Sequence, residues 1–260
     1  MKRRVLFVVG TLAAVYLAIC GLMFGVQRKL LFPAPKELSR VKDGMEREEV
    51  PGGTFFLWHR APGDGPVVVH FHGNGEQVGS LGWLSREWAQ RGVSFVAVEY
   101  PGYAGAAGSP SEESLVQASE AALQHLTSTL KVDRSRLVLV GQSVGTGVAV
   151  TMAARGWGTK LVLLSPYTSL PAVAAKAFPF LPTSLLMRDR FDSASKAPQL
   201  KVPTLILHGT KDEVIPFALG EALSQAIPGA KFVAVEGAGH NDLFDREQVL
   251  ATLMGFVAPR

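Results

Sequence analysis

The chain of 260 residues contains one cysteine, Cys20. A single thiol builds neither a disulfide framework nor a cysteine-rich metal site. Charge is scarce as well. Asp, Glu, Lys and Arg make up 18% of the residues against 47% apolar residues, a balance that excludes a disordered chain. The 27 glycines follow no three-residue period, which excludes collagen. Internal repeats and low-complexity tracts are missing. The length suits one sizeable domain. The most informative absence is local: all 22 acidic residues lie after residue 30.

The net charge of +4 invites a nucleic-acid reading, but its distribution argues otherwise. Five of the 26 basic residues precede residue 30 (Lys2, Arg3, Arg4, Arg28 and Lys29), so the remainder carries 21 against 22 acids. That remainder is near neutral, and no nucleic-acid partner is expected. The basic residues flank Val5 to Val26, which hold no charge. As helix, these residues reach about 33 Å, enough for a bilayer core of about 30 Å. A cleaved signal peptide has a shorter apolar region of about 7–15 residues and a small-x-small site, and neither fits. A lipoprotein signal at Cys20 is disfavoured by the bulky Ile19 before it. A buried core helix is disfavoured because the run has no polar face. The expectation is an uncleaved single-pass anchor in residues 1–30, with membrane contact through residues 5–26. Arg28, Lys29, Lys36, Arg40 and Lys42 nearly balance the basic N terminus. The leading cluster points to a non-cytoplasmic domain, with the orientation left open.

Residues 31–50, with Pro33 and Pro35, read as a stiff extended connector rather than a helix. From residue 51 to 260 a regular alternation sets in after an early strand at Thr54–Arg60. Strands are expected at Val67–Phe71, Val93–Val98, Leu137–Val140, Leu161–Leu164, Thr204–Leu207 and Phe232–Val235. Helices are expected at Glu76–Gln90, Glu112–Leu130 with Ser111 as cap, Val144–Ala154, Phe217–Ala226 and Leu243–Val257. Pro166–Leu200 reads as an irregular apolar section. Continuously apolar strands separated by helices indicate an α/β fold with a mostly parallel sheet covered on both faces. Ligands of such sheets sit beyond the carboxyl ends of the strands.

Three of those ends carry a matched set. Gly141-Gln142-Ser143-Val144-Gly145 is G-x-S-x-G between a strand and a helix. In that context the sharp turn leaves no room for flanking side chains and lifts Ser143 above the sheet. Gly147 eases close packing of the same helix. His72-Gly73-Asn74-Gly75 follows another strand. The backbone N–H groups of Asn74 and Val144 are expected to hold the negative oxygen of a tetrahedral intermediate. A serine nucleophile needs a base, and the base needs an orienting carboxylate. His240 and Asp212 follow the last two strands in the required chain order. Glu213 and Asp242 are weaker acids for the role, and no acid follows Ser165-Pro166-Tyr167. His59, His125 and His208 read as structural or surface residues. His70 and His72 form an H-x-H pair without further ligands, so neither metal nor cofactor is expected. Asp189, Arg190 and Asp192 read as a buried salt-bridge network. Phe178, Phe180, Leu181, Leu185, Leu186 and Met187 read as core cover mixed with acyl-pocket lining. The short connections leave little chain for a large lid, and a fairly open site is expected.

The chain resembles the α/β-hydrolase superfamily. Within it, the chain is similar to membrane-anchored serine hydrolases with H-G-N-G, G-Q-S-x-G-T-G, S-P-Y-T-S-L, H-G-T-x-D-E-V-I-P and G-A-G-H-N-D. These motifs begin here at His72, Gly141, Ser165, His208 and Gly237. The similarity runs from about Leu30 to the C terminus and includes Asp189-Arg190-Phe191-Asp192-Ser193. Ala104 departs from it, at a position where relatives carry glycine. The resemblance implies a Ser143–Asp212–His240 triad and esterase, thioesterase or lysophospholipase activity on small-molecule acyl esters or thioesters. Two alternatives stay open: a peptidase or other hydrolase on the same framework, and a non-catalytic anchored scaffold.

Overall fold

The computed structural model describes residues 2–41 and 44–258. Met1 and Lys42, which entered the charge reading, lie outside the described residues. The apolar runs become strands of one sheet: β1 (Glu46–Val50), β2 (Thr54–His59), β3 (Val67–Phe71), β4 (Ser94–Val98), β5 (Leu137–Gln142), β6 (Lys160–Leu164), β7 (Thr204–Gly209) and β8 (Lys231–Val235). Their order is β1-β2-β4-β3-β5-β6-β7-β8. From β4 to β8 every pairing is parallel, while β2 runs antiparallel to both β1 and β4. Every residue of β3, β4 and β7 is buried, as the unbroken apolar runs require for a sheet covered twice.

Alternate residues feed two cores. Val67, Val69, Phe71 and Leu139 face α3 (Glu112–Gln124) and α4 (Val144–Ala154). Val68, Val138, Val140 and Val162 face α2 (Gly82–Ala89) and α9 (Glu247–Val257). Burying a side chain of this size contributes about 1.5–3 kcal/mol. α4 and α8 (Phe217–Ala226) have the expected bounds. Ser111 caps α3 by accepting from the N–H of Ser114, whose hydroxyl accepts in return from the N–H of Ser111.

Several expectations need correction. The connector contains β1, whose Glu-Arg-Glu-Glu-Val has the polar exposure of an edge strand. The helix expected from Glu76 begins with a tight turn at Val78–Leu81, and α2 starts only at Gly82. α3 ends at Gln124 in a wider turn, His125–Thr129. The C-terminal helix divides into Leu243–Asp245 and α9. The Pro166–Leu200 section is not irregular. It holds α5 (Leu170–Ala177), capped by Ser169, then α6 (Thr183–Leu186) and α7 (Ser193–Lys196), capped by Asp192. Ala104 keeps the left-handed backbone that glycine favours, with φ 43°, so the departing residue does not shift that turn out of its conformation.

α1 (Lys2–Leu31) is a continuous helix of 30 residues. At about 1.5 Å per residue it is about 45 Å long, some ten residues more than a bilayer core requires. Its C-terminal turns dock on the segment around α6. Gln27 Nε2 donates to the Leu186 carbonyl (3.0 Å), and the Arg188 N–H donates to Gln27 Oε1 (2.9 Å). Arg28 donates to both oxygens of Asp189, at 2.8 and 3.1 Å. The expected network of Asp189, Arg190 and Asp192 is therefore replaced. Asp189 pairs with Arg28, 161 residues away, and also accepts from the Glu112 N–H. Arg190 is exposed and donates to the Ser184 carbonyl.

The Asp189 side chain is only 3% exposed, whereas Arg28 is 46% exposed. Solvent screening on the Arg28 side limits the pair, but its loss leaves a buried carboxylate short of donors. Arg28→Ala is expected to lower stability by about 1–2 kcal/mol, and by much less in an Asp189→Asn background. Thermal unfolding of the four proteins in detergent micelles measures the coupling. Equal losses in both backgrounds would show the pair to be uncoupled.

Candidate active site

Ser143 joins β5 to α4 with φ 51° and ψ −122°, a conformation that L residues rarely adopt. The glycines on either side explain how the chain tolerates it. A Cβ at Gly141 would lie 2.6 Å from the Gly145 carbonyl oxygen, and one at Gly145 would collide with the carbonyl oxygens of Phe71 and His72. The turn is pinned by the Ser143 N–H, which donates to the Leu164 carbonyl (2.9 Å), and by the Thr146 hydroxyl, which donates to the Ser143 carbonyl (2.6 Å). Gly147 leaves room for the Tyr167 hydroxyl and the Phe191 ring, as its packing role required. Tyr167 Oη donates to the Val144 carbonyl (3.1 Å) and so braces the first turn of α4.

The sheet register brings the other two strand ends level with this turn. Gln142 lies beside Leu164, which lies beside Leu207. Beyond β7 and β8 the chain supplies Asp212 and His240. His240 Nδ1 donates to Asp212 Oδ2 at 2.8 Å, and His240 Nε2 lies 3.0 Å from Ser143 Oγ. The other Asp212 oxygen accepts from the N–H groups of Val214 (3.0 Å) and Ile215 (2.7 Å). Burial alone would raise the pKa of Asp212. Hydrogen bonds from His208, His240 and the Ile215 N–H outweigh it and hold the carboxyl well below the usual range. Asp212 is therefore ionised throughout the neutral range.

Of the two weaker acids, Asp242 is engaged elsewhere. Asp242 accepts from the Gly239 N–H (2.5 Å) and from Arg246 (2.9 Å). His208, expected to be a structural or surface residue, is wholly buried and meets Asp212. Its Nε2–H donates to the Ile215 carbonyl at 2.9 Å and lies 3.3 Å from Asp212 Oδ2, with both side chains fully buried. Gly220 makes room for this ring, since a Cβ there would collide with it. The available signal was a histidine at a buried strand end, four residues before the acid.

Asn74, from the turn after β3, and Val144, from the turn after β5, both line the cavity that holds Ser143 and His240. Val144 is the first residue of α4, so its N–H has no acceptor within the helix. The cavity has a volume of about 320 Å³. Gly73 and Glu76 form its polar side, while Leu31, Leu170 and Val173 form its apolar side. Leu31 brings the end of α1 to this cavity, and Leu170 and Val173 bring α5.

The turn carrying Asn74 rests on an unforeseen buried ion pair. His72 Nε2 donates to Glu99 Oε1 (2.9 Å) and His72 Nδ1 faces the Gly73 carbonyl (2.9 Å), with both side chains wholly buried. Both ring nitrogens point at acceptors, so the imidazolium is the form that satisfies them. Glu99 also accepts from the N–H groups of Val78 and Tyr100, and Tyr100 Oη donates to the His72 carbonyl (3.0 Å). Burial works against the charge on His72, but the Glu99 carboxylate outweighs it and raises the pKa above 6.5. His70 takes a different course. It packs beside Phe95, and burial lowers it to about 3. The H-x-H pair is thus divided between two environments.

Because the folded state holds the His72 proton more tightly than the unfolded state, this pair stabilises fully below about pH 6.5. The contribution is lost as pH rises through the higher folded pKa. Thermal unfolding from about pH 5 to about pH 9 is expected to show an alkaline decline in Tm that His72→Gln flattens. An unchanged slope in the variant would assign the decline to another group.

Comparison with known proteins agrees with this architecture. A family model described as an alpha/beta hydrolase domain matches residues 64–248. An uncharacterized protein of Mycobacterium tuberculosis is 31% identical over 271 residues, covering 99% of this chain and 96% of that protein. The human alpha/beta hydrolase domain-containing protein 17C is 34% identical over 200 residues, covering 76% of this chain and 60% of that protein. Among solved structures, an esterase of Pyrococcus furiosus superposes with a TM-score of 0.71 at 14% identity, over 86% of this chain and 95% of that one. A monoacylglycerol lipase of Paleococcus ferrophilus gives 0.62 at 18% identity, over 78% and 98%. At such identities the solved structures speak for the fold alone. With its sheet order, its strand-end site and the family match over most of its length, the chain belongs to the α/β-hydrolase family.

Proposed function

We propose that this protein is a membrane-anchored serine hydrolase that cleaves carboxylic ester or thioester bonds of acyl, lipid-like substrates. The observation that carries the reading is the hydrogen-bonded row Ser143–His240–Asp212 at the rim of a cavity with one apolar side. A serine hydroxyl is a weak nucleophile until a base takes its proton, and His240 Nε2 lies within reach of it. In the first step Ser143 Oγ attacks the substrate carbonyl carbon and its proton passes to His240. The carbonyl π pair moves to oxygen, and the N–H groups of Asn74 and Val144 are suited to hold that charge. The tetrahedral species collapses, the alcohol or thiol leaves with the proton from His240, and the acyl group stays on Ser143. Water then repeats the sequence, releasing the carboxylic acid and restoring the serine. Asp212 holds the tautomer of His240 and stabilises its charged form. The turn over His72 and Glu99 keeps Asn74 in place.

The docking of α1 supports an anchor that stays attached. Removal of a segment containing Arg28 would leave Asp189 buried without its cation. An attached helix also keeps the site beside a lipid surface, which favours lipid-like esters as substrates. The basic cluster at the N terminus favours a non-cytoplasmic domain.

Ser143→Ala is expected to abolish labelling by a fluorophosphonate probe and to lower kcat on acyl esters about 10⁴-fold or more, with the Tm preserved. Labelling and turnover that persist in this variant would sink the assignment. His208→Ala is expected to lower kcat by about tenfold with little change in KM, the loss of roughly one orienting hydrogen bond on Asp212. A purely structural role would lower the Tm and leave kcat of the folded fraction unchanged.

A further inference from the structure

A second cavity of about 200 Å³ lies between α1 and the α5–α6 segment, apart from the polar side of the candidate site. Its walls are Met23, Leu30 and Leu31 from α1 and Ala174, Leu181 and Leu186 from the facing segment. Two polar residues also line it, and both are engaged. Gln27 is bonded to the Leu186 carbonyl and the Arg188 N–H, and the Thr183 hydroxyl donates to the Pro171 carbonyl (3.0 Å). An occupant therefore meets apolar surface with no polar group awaiting a partner.

Two features say what that occupant is. Leu31 lines both this groove and the Ser143 cavity, and adjacent residues of α5 serve the two, Val173 facing the cavity and Ala174 the groove. The groove thus adjoins the Ser143 cavity across Leu31. Earlier along α1 than the groove walls, Tyr16 Oη donates to the Phe180 carbonyl (2.9 Å). There the α5–α6 segment exposes Phe180 by 61% and Leu185 by 83%, an apolar edge beside a helix long enough to span a bilayer.

We propose that this groove holds the acyl chain of the substrate, admitted sideways from the bilayer along α1 and delivered with its carbonyl to Ser143. The proposal rests on the hydrolase reading above. The helix that anchors the protein is then one wall of its specificity site. Arg28–Asp189 and Gln27 with its two partners hold that wall at its working distance. The chain preference belongs to the α1–α5–α6 contact and not to the Ser143 turn.

The full-length protein in phosphatidylcholine vesicles tests this with two readouts. The first is kcat/KM on p-nitrophenyl esters of increasing acyl length. Ala174→Trp and Leu186→Trp, which fill the groove from one wall, are expected to keep acetyl and butyryl ester rates within about twofold. They are expected to lose at least about tenfold on dodecanoyl and longer esters, equivalent to about two buried methylenes at about 0.8 kcal/mol each. The second readout needs no turnover: photo-cross-linking of a diazirine-bearing palmitate to the Ser143→Ala protein. Adducts are expected on peptides holding residues 23–31 and 174–187 and are expected to fade in the tryptophan variants. Adducts there without any ester hydrolysis would support the groove while removing the hydrolase reading. Unchanged long-chain rates in both folded tryptophan variants, or adducts spread along α1 as for a bulk lipid, would overturn the groove.

Discussion

The structure depends most on one constraint, the strained backbone of Ser143 at φ 51°. A serine in that conformation persists only where its surroundings over-determine it. Here Gly141 and Gly145 leave space for neighbouring carbonyls, Thr146 ties the turn from within, and Tyr167 braces the helix that follows. The parallel register then sets everything else. Because β5, β6, β7 and β8 end level, Asp212 and His240, 69 and 97 positions after Ser143 in the chain, join it in one row, His240 lying 3.0 Å from the Ser143 hydroxyl and 2.8 Å from Asp212. The sheet's large buried area is what makes a strained turn affordable within a marginally stable fold.

Around that turn, charge is handled in two ways. Asp212 is kept anionic by donors that include the N–H groups of Val214 and Ile215 and the His240 ring. His72 and Glu99 are both buried, yet each satisfies the other and the nearby backbone. A buried pair of this kind adds little net stability, but breaking it is costly, so it favours one conformation of the turn it supports. That turn carries Asn74. The central strands thus supply the rigidity and the two buried ionic groups supply the aim.

Much of this was legible in the residues. Val67–Phe71 and Leu137–Val140 read as covered strands because they are apolar without alternation, and G-x-S-x-G read as a sharp turn because a helix follows it at once. Asp212 and His240 stand out by their places after strands, and the fold brings them within hydrogen-bond distance of each other. The features that the sequence hides have a physical reason. β1 is a polar edge strand, whose Glu and Arg side chains face water as a loop's would. α5 to α7 are only eight, four and four residues long, too short to show a clear period. Arg28–Asp189 and His72–Glu99 are long-range pairs, invisible until the chain is folded. His208 looked ordinary because its contact with Asp212 depends on the curl of the loop between them.

The central claim is that Ser143 carries the acyl group between the two halves of the reaction. Intact-mass and peptide mass spectrometry on protein quenched with acid during turnover of a long-chain acyl thioester observes that species directly. The account predicts a mass increase equal to the acyl group minus one hydrogen, located on Ser143 and absent before substrate is added. Steady hydrolysis without such an adduct, or an adduct on another residue that turns over at the steady-state rate, would contradict it.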